Sequence, residues 1–136
     1  MNHKKILLIL DGQGGGVGRK IAERLLAEKL DIDFMVVGTN ATATSNMMKA
    51  GIPTGATGEN AWIYNCGRVD IIAGPIGIIL PHAMHGEVSP RMAQAVADSP
   101  AKRMLVPFPN QHIYILGSME LSLSQYLDEM VRLIRL

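Results

Sequence analysis

The stretch KILLILDGQGGGVGRKIAERLLAEK, residues 5–29, decides the fold class of this 136-residue chain. It opens with a continuous apolar run, residues 5–10, which predicts a strand that is buried on both faces of a parallel sheet. The strand ends at Asp11, where a glycine-rich turn begins. Over residues 17–29, apolar side chains recur every three or four positions and alternate with charged ones, which is typical of an amphipathic helix. A strand, a glycine loop and a helix in this order predict the first unit of an α/β domain.

The rest of the chain repeats this alternation of strands and helices. Further strands are expected at residues 34–38, 54–57, 69–73, 102–106 and 112–116. Further helices are expected at residues 41–50, 58–65, 90–98 and 121–136, the third of them started by Ser89 and Pro90. Residues 78–88 have no period that indicates either element. The pattern predicts one Rossmann-like three-layer domain over residues 1–136, with a mainly parallel sheet and helices on both faces.

Composition excludes several classes of partner. Hydrophobic residues make up 48% of the chain and charged residues 18%, a balance that predicts a folded domain. The 13 basic and 12 acidic residues are spread along the chain, so we expect no nucleic-acid partner. The apolar run at residues 6–10 is too short for a signal peptide, and no stretch reaches the ~18 to 20 apolar residues of a membrane span. We therefore expect a cytoplasmic protein without a membrane partner, as the single Cys66 also indicates.

The turn after the first strand holds five glycines in seven positions. Glycine loses more conformational entropy on folding than any other residue, so this density is expected where the backbone turns tightly or lies against a ligand. A glycine turn that leads into a helix presents free N–H groups and the positive end of the helix dipole, which suit a phosphate. A tight turn that binds nothing is the alternative. The expected ligand contacts are Asp11, Gly12, Gln13, Gly14, Gly15, Gly16, Val17 and Gly18.

A second group of polar residues follows the second and third strands. If the sheet order is 3-2-1-4, the ends of the first three strands lie side by side at the carboxyl edge of the sheet. With another order, the same side chains only cap helices. Asp11 has three alternatives: it caps the loop amides, holds a cation or contacts a ligand hydroxyl. The expected ligand contacts in this second group are Thr39, Asn40, Thr57, Gly58, Glu59 and Asn60.

The spacing Gly12-x3-Gly16-x-Gly18 resembles the TGxxxGxG loop of short-chain dehydrogenases, with Asp11 at the position of the threonine. The resemblance covers about the first 77 residues. It implies that the end of the second strand lies near the adenosine ribose and residues 56–57 near the adenine. It also implies NAD(P) or an adenine nucleotide as the ligand. The turn that would lie near the nicotinamide ribose is expected at Gly74, Pro75 and Ile76.

Departures from that family concern the chemistry more than the binding. The dehydrogenases use a tyrosine that is followed four residues later by lysine, whereas here Arg68 follows Tyr64 and Met130 follows Tyr126. The second strand also lacks a terminal acid for a ribose diol, which weakens the case for NAD and leaves a phosphorylated ribose open. The sequence therefore indicates no catalytic set. We expect a nucleotide-binding or dinucleotide-binding protein, with a small-metabolite oxidoreductase or other enzyme, completed by a partner subunit, as the alternative.

As a whole, the chain most resembles a family of short bacterial proteins of unknown function. Members open with a strand and Asp-Gly-Gln-Gly-Gly, which here occupies residues 11–15. They also carry Gly-Thr-Asn, Ala-Thr-Gly-Glu-Asn and Gly-Pro-Ile-Gly segments, which here occupy residues 38–40, 56–60 and 74–77. The resemblance implies a Rossmann-like fold and supplies no activity.

Two further features are weighed for chemistry and assembly. His82, His85 and Glu87 lie within six residues, a spacing that could ligate a metal, but no distant fourth ligand is evident and we expect no metal site.

Residues 112–116 would form an edge strand with unpaired backbone groups, which favours a homodimer through this strand and the last helix. A monomer whose last helix covers the edge is the alternative.

Overall fold

The computed structural model describes residues 4–107, 112–118 and 121–136. Its five strands form one parallel sheet in the order β3-β2-β1-β4-β5. The strands are β1 (Lys5–Asp11), β2 (Ile32–Gly38), β3 (Gly55–Thr57), β4 (Ile71–Pro75) and β5 (Lys102–Val106). The α-helices are α1 (Gly16–Ala27), α2 (Ala41–Met48), α3 (Glu59–Cys66), α4 (Pro90–Asp98) and α5 (Leu123–Ile134), and a short 3-10 helix spans Ile76–Ile79.

The central strand β1 shows why the sheet is covered on both faces. Its side chains alternate: Leu7 and Ile9 face a core with α1 and α5, whereas Leu8 and Leu10 face a core with α3 and α4. All four are fully buried, as the continuous apolar run in the sequence indicated. The predicted Rossmann-like α/β fold, with a parallel sheet and helices on both faces, is confirmed.

Local signals account for the helix starts. The side chain of Asn40 accepts from the amide of Ala43 at the start of α2, and that of Ser89 accepts from Met92 at the start of α4. Ser122 and Gln125 form a reciprocal capping box at the start of α5. Helix α4 has the predicted bounds because Ser89 and Pro90 mark its first turn unambiguously.

The predicted strand at residues 112–116 is wrong. These residues are irregular and pair with no strand in the described parts of the chain, and Ile113 and Leu116 are exposed by 45% and 93%. Strand β5 therefore has one strand neighbour there, β4. Strand β4 also extends through Pro75, so Gly74 lies inside the strand rather than in the turn after it.

The ranges 4–107, 112–118 and 121–136 contain no helix that is long and apolar enough to cross a membrane.

Candidate functional site

The glycine loop lies at the carboxyl edge of the sheet, directly after β1. The sheet order places this point between β2, reached through α1, and β4 on the other side, where ligands of open α/β sheets commonly bind. The glycine loop, residues 11–18, borders a cavity of about 660 Å³ there, which we call the main cavity. Its lining consists of Asp11, Gly12, Gln13, Gly14, Gly15, Gly16, Val17, Pro75, Gly77, Leu80, Ala83, Met84, His85, His112 and Ile113.

Helix α2 and its N-cap hold two carbonyl groups of the glycine loop. The side-chain amide of Asn40 donates to the Gln13 carbonyl at 2.9 Å, and that of Asn46 donates to the Gly14 carbonyl at 2.9 Å. A planar trans peptide directs its N–H opposite to its C=O, so the amide of Gly14 points away from α2. The loop backbone is thus fixed with its carbonyls turned inward to the protein.

The carboxylate of Asp11 satisfies two other amides of this loop. It accepts from Gly12 N at 2.8 Å and from Gly18 N at 2.7 Å, which ties the end of β1 to the first turn of α1. The amides of Gly14, Gly16 and Val17 make no hydrogen bond to any other group in the described ranges. Three N–H donors therefore remain available where the loop leads into α1.

Asp11 lies beneath the loop and is 5% exposed. Burial raises the pKa of this carboxyl group above its ordinary value, the hydrogen bonds from Gly18 and Gly12 oppose the rise, and the charge of Glu87 adds to it. Of the three roles considered from the sequence, capping of the loop amides is the one that the geometry displays.

Three glycines of the loop are explained by packing. A Cβ on Gly12 would lie 2.6 Å from both Met84 Sδ and Thr39 Oγ1, and one on Gly15 would lie 2.7 Å from the Ala43 carbonyl oxygen. Gly15 also has a φ of +73°, a conformation that side chains rarely adopt. Gly18 packs against Met47 and Asp11 in the same way. Gly15 must therefore be glycine whether or not a ligand binds, whereas a Cβ at Gly12 or Gly18 would have to displace neighbouring side chains.

The two remaining glycines of the loop have no such explanation. A Cβ on Gly14 or on Gly16 would meet nothing within 4 Å, and neither residue has a positive φ. Both are exposed on the side of the main cavity. The fold therefore tolerates a side chain at these positions, and their glycines leave the backbone accessible.

Glu87 is a site residue that the sequence pattern did not identify as a ligand contact. Its Oε1 atom accepts from Gln13 N at 2.7 Å, from Asn40 Nδ2 at 3.1 Å and from the hydroxyl of Thr39. Partial burial alone would raise the pKa of Glu87, but these hydrogen bonds and the nearby His85 outweigh it and hold the pKa below its ordinary value. Glu87 thus joins the glycine loop to the end of β2 as a carboxylate.

Residues 81–88 carry Glu87 to this position with unusual backbone geometry. The φ angles of His82, Met84 and His85 are +68°, +59° and +58°, values that are uncommon for residues other than glycine. Hydrogen bonds close the segment, including one from His82 N to the Val88 carbonyl at 2.6 Å. Such conformations persist where surrounding contacts enforce them and cluster at functional sites.

The residues predicted after β2 and β3 have separate positions. Thr39 and Asn40 support the loop from behind through Glu87 and the Gln13 carbonyl. The hydroxyl of Thr57 hydrogen-bonds that of Thr44 at 2.7 Å, and Glu59 accepts from the Ser89 hydroxyl. Gly58 is the N-cap of α3, and the exposed Asn60 lies in its first turn. None of these six residues lines the main cavity as the described ranges delimit it.

Of the three residues predicted as ligand contacts after β4, one lines the main cavity. Pro75 lines the main cavity, whereas Ile76 begins the 3-10 helix beside it. A Cβ on Gly74 would lie 2.4 Å from the Leu10 carbonyl oxygen, so this glycine permits the close approach of β4 to β1. Its position has a packing explanation without a ligand.

Other candidate chemistry is limited. Within residues 4–107, 112–118 and 121–136, no three His, Cys, Asp or Glu side chains gather as metal ligands. Burial raises the pKa of the Cys66 thiol to about 12, which keeps it protonated and unreactive at neutral pH. A further cavity of about 440 Å³ lies at the opposite edge of the sheet, near Ile32 and Pro53, and its lining is mostly apolar.

Comparisons with known proteins give one family and one solved structure. The model of a family described as "Domain of unknown function (DUF3842)" matches residues 5–136. The crystal structure of a dodecameric FMN-dependent UbiX-like decarboxylase from Escherichia coli O157:H7 is similar at 22% identity and a TM-score of 0.44. That match covers 95% of this chain and 75% of the other. No curated protein matches the chain.

Proposed function

The chain belongs to the DUF3842 family, whose description assigns no activity, and we propose from the site itself that the protein binds the phosphate group of a nucleotide-like ligand at the glycine loop. The observation that carries the proposal is the set of three amides, Gly14 N, Gly16 N and Val17 N, that have no partner in the described ranges. They border the main cavity at the start of a 12-residue helix. Free N–H groups and the helix dipole act together on an anion.

The two exposed glycines support the same position for the phosphate. Glycine at Gly16 costs helix stability relative to alanine, and within the described ranges no neighbouring atom requires the absence of a Cβ there. A phosphate that contacts the backbone directly would compensate, because it needs the space that a side chain would fill. The hydrogen bonds from Asn40 and Asn46 to the carbonyls of Gln13 and Gly14 also fix the directions of the loop amides in the absence of a ligand.

The remainder of the main cavity suits the ring system of a nucleotide. Its volume of about 660 Å³ lies within the usual range for small-molecule sites. Apolar side chains, among them Val17, Leu80 and Met84, form much of the wall. An adenine nucleotide, NAD(P) or another ligand that joins a phosphate to a flat ring would use both parts of the site.

A thermal-shift panel tests the proposal. The panel contains NAD(H), NADP(H), AMP, ADP, ATP and flavin mononucleotide, each of which joins phosphate to a flat ring system. A ligand that binds only the folded state stabilises it, by about 2.7 kcal/mol at a concentration one hundred times the Kd. We expect at least one compound to raise the Tm at millimolar concentration. No response from any of them would overturn the proposal.

A pair of glycine variants then locates the bound compound. Gly16→Val places a side chain in the space that we assign to the phosphate and should abolish the thermal shift. Gly67→Val is the matched control, because a Cβ there also meets nothing within 4 Å and the residue follows α3, outside the cavity lining. The control should retain the shift. If Gly16→Val retains it as well, the ligand binds elsewhere.

A second candidate function is an enzyme whose site is completed by another copy of the chain. Two imidazoles, His85 and His112, line the main cavity and could transfer protons. Directly after His112 and Ile113, the side chains of Tyr114 and Leu116 are exposed by 85% and 93%, an arrangement that favours coverage by a partner. Light scattering tests this: a mass near the 14.7 kDa of one chain at tens of micromolar excludes a shared site.

A further inference from the structure

We infer that Glu87 determines specificity at the glycine loop by restricting the ligand to one phosphoryl group there, an inference that rests on the proposed function. The ligand class is then a phosphomonoester, such as a nucleoside monophosphate, rather than a diphosphate or triphosphate. The inference follows from where the carboxylates lie and from which cations the cavity lacks.

Negative charge lies beside the start of the glycine loop, at the residues that precede the three free amides. Glu87 Oε1 is 2.7 Å from the amide nitrogen of Gln13, the residue before Gly14, and a Cβ on Gly12 would lie 2.9 Å from the same oxygen. The donors Thr39 and Asn40 hold the carboxylate in this place. Asp11, the other carboxylate of the loop, caps it from below and itself lines the main cavity.

The same cavity is lined by two imidazoles, those of His85 and His112, but by no permanently charged side chain of opposite sign within the described ranges. In the described part of the chain, its lining contains neither lysine nor arginine. Sites for diphosphates and triphosphates ordinarily add a lysine, an arginine or a metal to the loop amides, because the charge of the ligand grows with each phosphoryl group. Three amides and a helix dipole can bind one phosphate, but each additional phosphoryl group meets Glu87 and Asp11 without a neutralising lysine or arginine in the described lining.

Two cations near Gly14 provide a rival arrangement: Arg19, which donates to the Asn46 side chain that binds the Gly14 carbonyl, and Lys49. Lys49 and Ser45 belong to a separate, shallow groove of about 510 Å³ on the far side of Gly14, along α2. A second phosphoryl group that reached this groove would escape the repulsion. Affinities for ligands with one, two and three phosphoryl groups distinguish the arrangements, because the rival predicts tighter binding as phosphoryl groups are added.

The test is isothermal titration of the full chain with AMP, ADP and ATP, and with inorganic phosphate and pyrophosphate, at low salt without magnesium. We expect the Kd to rise at least about tenfold from AMP to ATP, and phosphate to bind no more weakly than pyrophosphate. Added salt should reduce the ratio of the Kd for ATP to the Kd for AMP, since screening weakens the repulsion between the carboxylates and the additional phosphoryl groups. ADP or ATP binding as tightly as AMP would overturn the inference and leave the proposed function intact. No binding by any of the five overturns the inference, whereas the proposed function is overturned only if the thermal-shift panel shows no response either.

A charge-matched pair of variants assigns the effect to Glu87. Glu87→Gln removes one negative charge beside the loop. We expect the ratio of the Kd for ATP to the Kd for AMP to fall to about threefold or less in this variant. Glu129→Gln removes one negative charge on α5, where Glu129 pairs with Arg132, and should keep the ratio of the parent protein. If Glu87→Gln does not fold, the affinities of the unmodified chain still decide whether the site is restricted to one phosphoryl group, and Glu87→Asp, which keeps the charge but shortens the side chain, replaces it as the test of Glu87. An unchanged ratio in a folded Glu87→Gln protein contradicts the assignment.

Discussion

The glycine loop has two faces that the sequence presents as one. On the inner face, Gly12, Gly15 and Gly18 are buried against atoms of the fold, and a Cβ on any of them would come closer than contact distance. On the outer face, Gly14 and Gly16 are exposed and a Cβ would meet nothing. The difference separates two reasons for glycine that a motif does not distinguish: the inner face serves the fold, and the outer face leaves the backbone open to a ligand.

The largest expected effect is on the inner face, for Gly15→Ala. The new Cβ would lie 2.7 Å from the backbone oxygen of Ala43 and the residue would keep a φ of +73°. The left-handed conformation costs about 1 to 2 kcal/mol and overpacking costs about 1 to 3 kcal/mol more. We therefore expect the free energy of unfolding in urea to fall by about 2 to 5 kcal/mol.

Gly14→Ala, one residue away, is the outer-face control. Its Cβ points into open space and its φ is not positive, so stability should change by no more than about 0.5 kcal/mol. If Gly14→Ala and Gly15→Ala lower the free energy of unfolding equally, the two faces do not differ in packing. The loop would then be sensitive to any side chain, whichever face it is on.

The next effect concerns the polar contact behind the inner face. Glu87→Ala removes the acceptor of Gln13 N, Thr39 Oγ1 and Asn40 Nδ2. Unsatisfied donors cost about 1 to 3 kcal/mol, and because Glu87 is partly exposed, water offsets some of this, so we expect a loss of about 1 to 2 kcal/mol. Hydrogen exchange gives the local readout: the Gln13 amide should lose protection, while Ile9 in β1 should keep it.

Much of the fold could be predicted because its signals are local. The buried run of β1, the amphipathic pattern of α1 and the Ser89-Pro90 start of α4 each depend on neighbours in the sequence. The order 3-2-1-4, which the sequence left open as one alternative, is the order that the first four strands adopt. The prediction of a strand at residues 112–116 was wrong for a related reason. An apolar stretch indicates that a strand could form there, but not that a neighbouring strand is available for pairing.

The candidate site was predicted at the glycine loop and at Pro75, whereas Glu87 was missed. Glu87 lies 74 residues from Gln13, and the spacing of two residues so far apart carries no information about their contact. Its position also depends on left-handed backbone at His82, Met84 and His85, which no turn motif of glycine or asparagine signals. The spacing of His82, His85 and Glu87 raises the question of a metal, whereas the structure uses the carboxylate of Glu87 to hold the loop.

A smaller effect of opposite sign is expected on the outer face. Gly16→Ala replaces glycine in the first turn of α1, where the new methyl group has room, and the unfolded chain loses conformational freedom. We expect the free energy of unfolding to rise by about 0.5 kcal/mol. Gly18→Ala, two positions along the same helix, should instead destabilise, since its Cβ would meet Met47 and Asp11. Destabilisation by Gly16→Ala would show that the outer face is packed after all.

The smallest effect is a change of slope with pH, and it compares the two carboxylates of the loop. The pKa of Glu87 is lowered in the fold, so its contribution is complete above the ordinary value of 4.5 and is lost as the pH falls through the folded pKa. The pKa of Asp11 is raised above 3.8, so protonation relieves a burial cost over the same acid range. Measured in urea between about pH 7 and pH 3, stability should fall less steeply in Glu87→Gln and more steeply in Asp11→Asn than in the unmodified chain. If both variants change the slope of stability against pH in the same direction, the fold does not shift the pKa values of Glu87 and Asp11 in opposite directions.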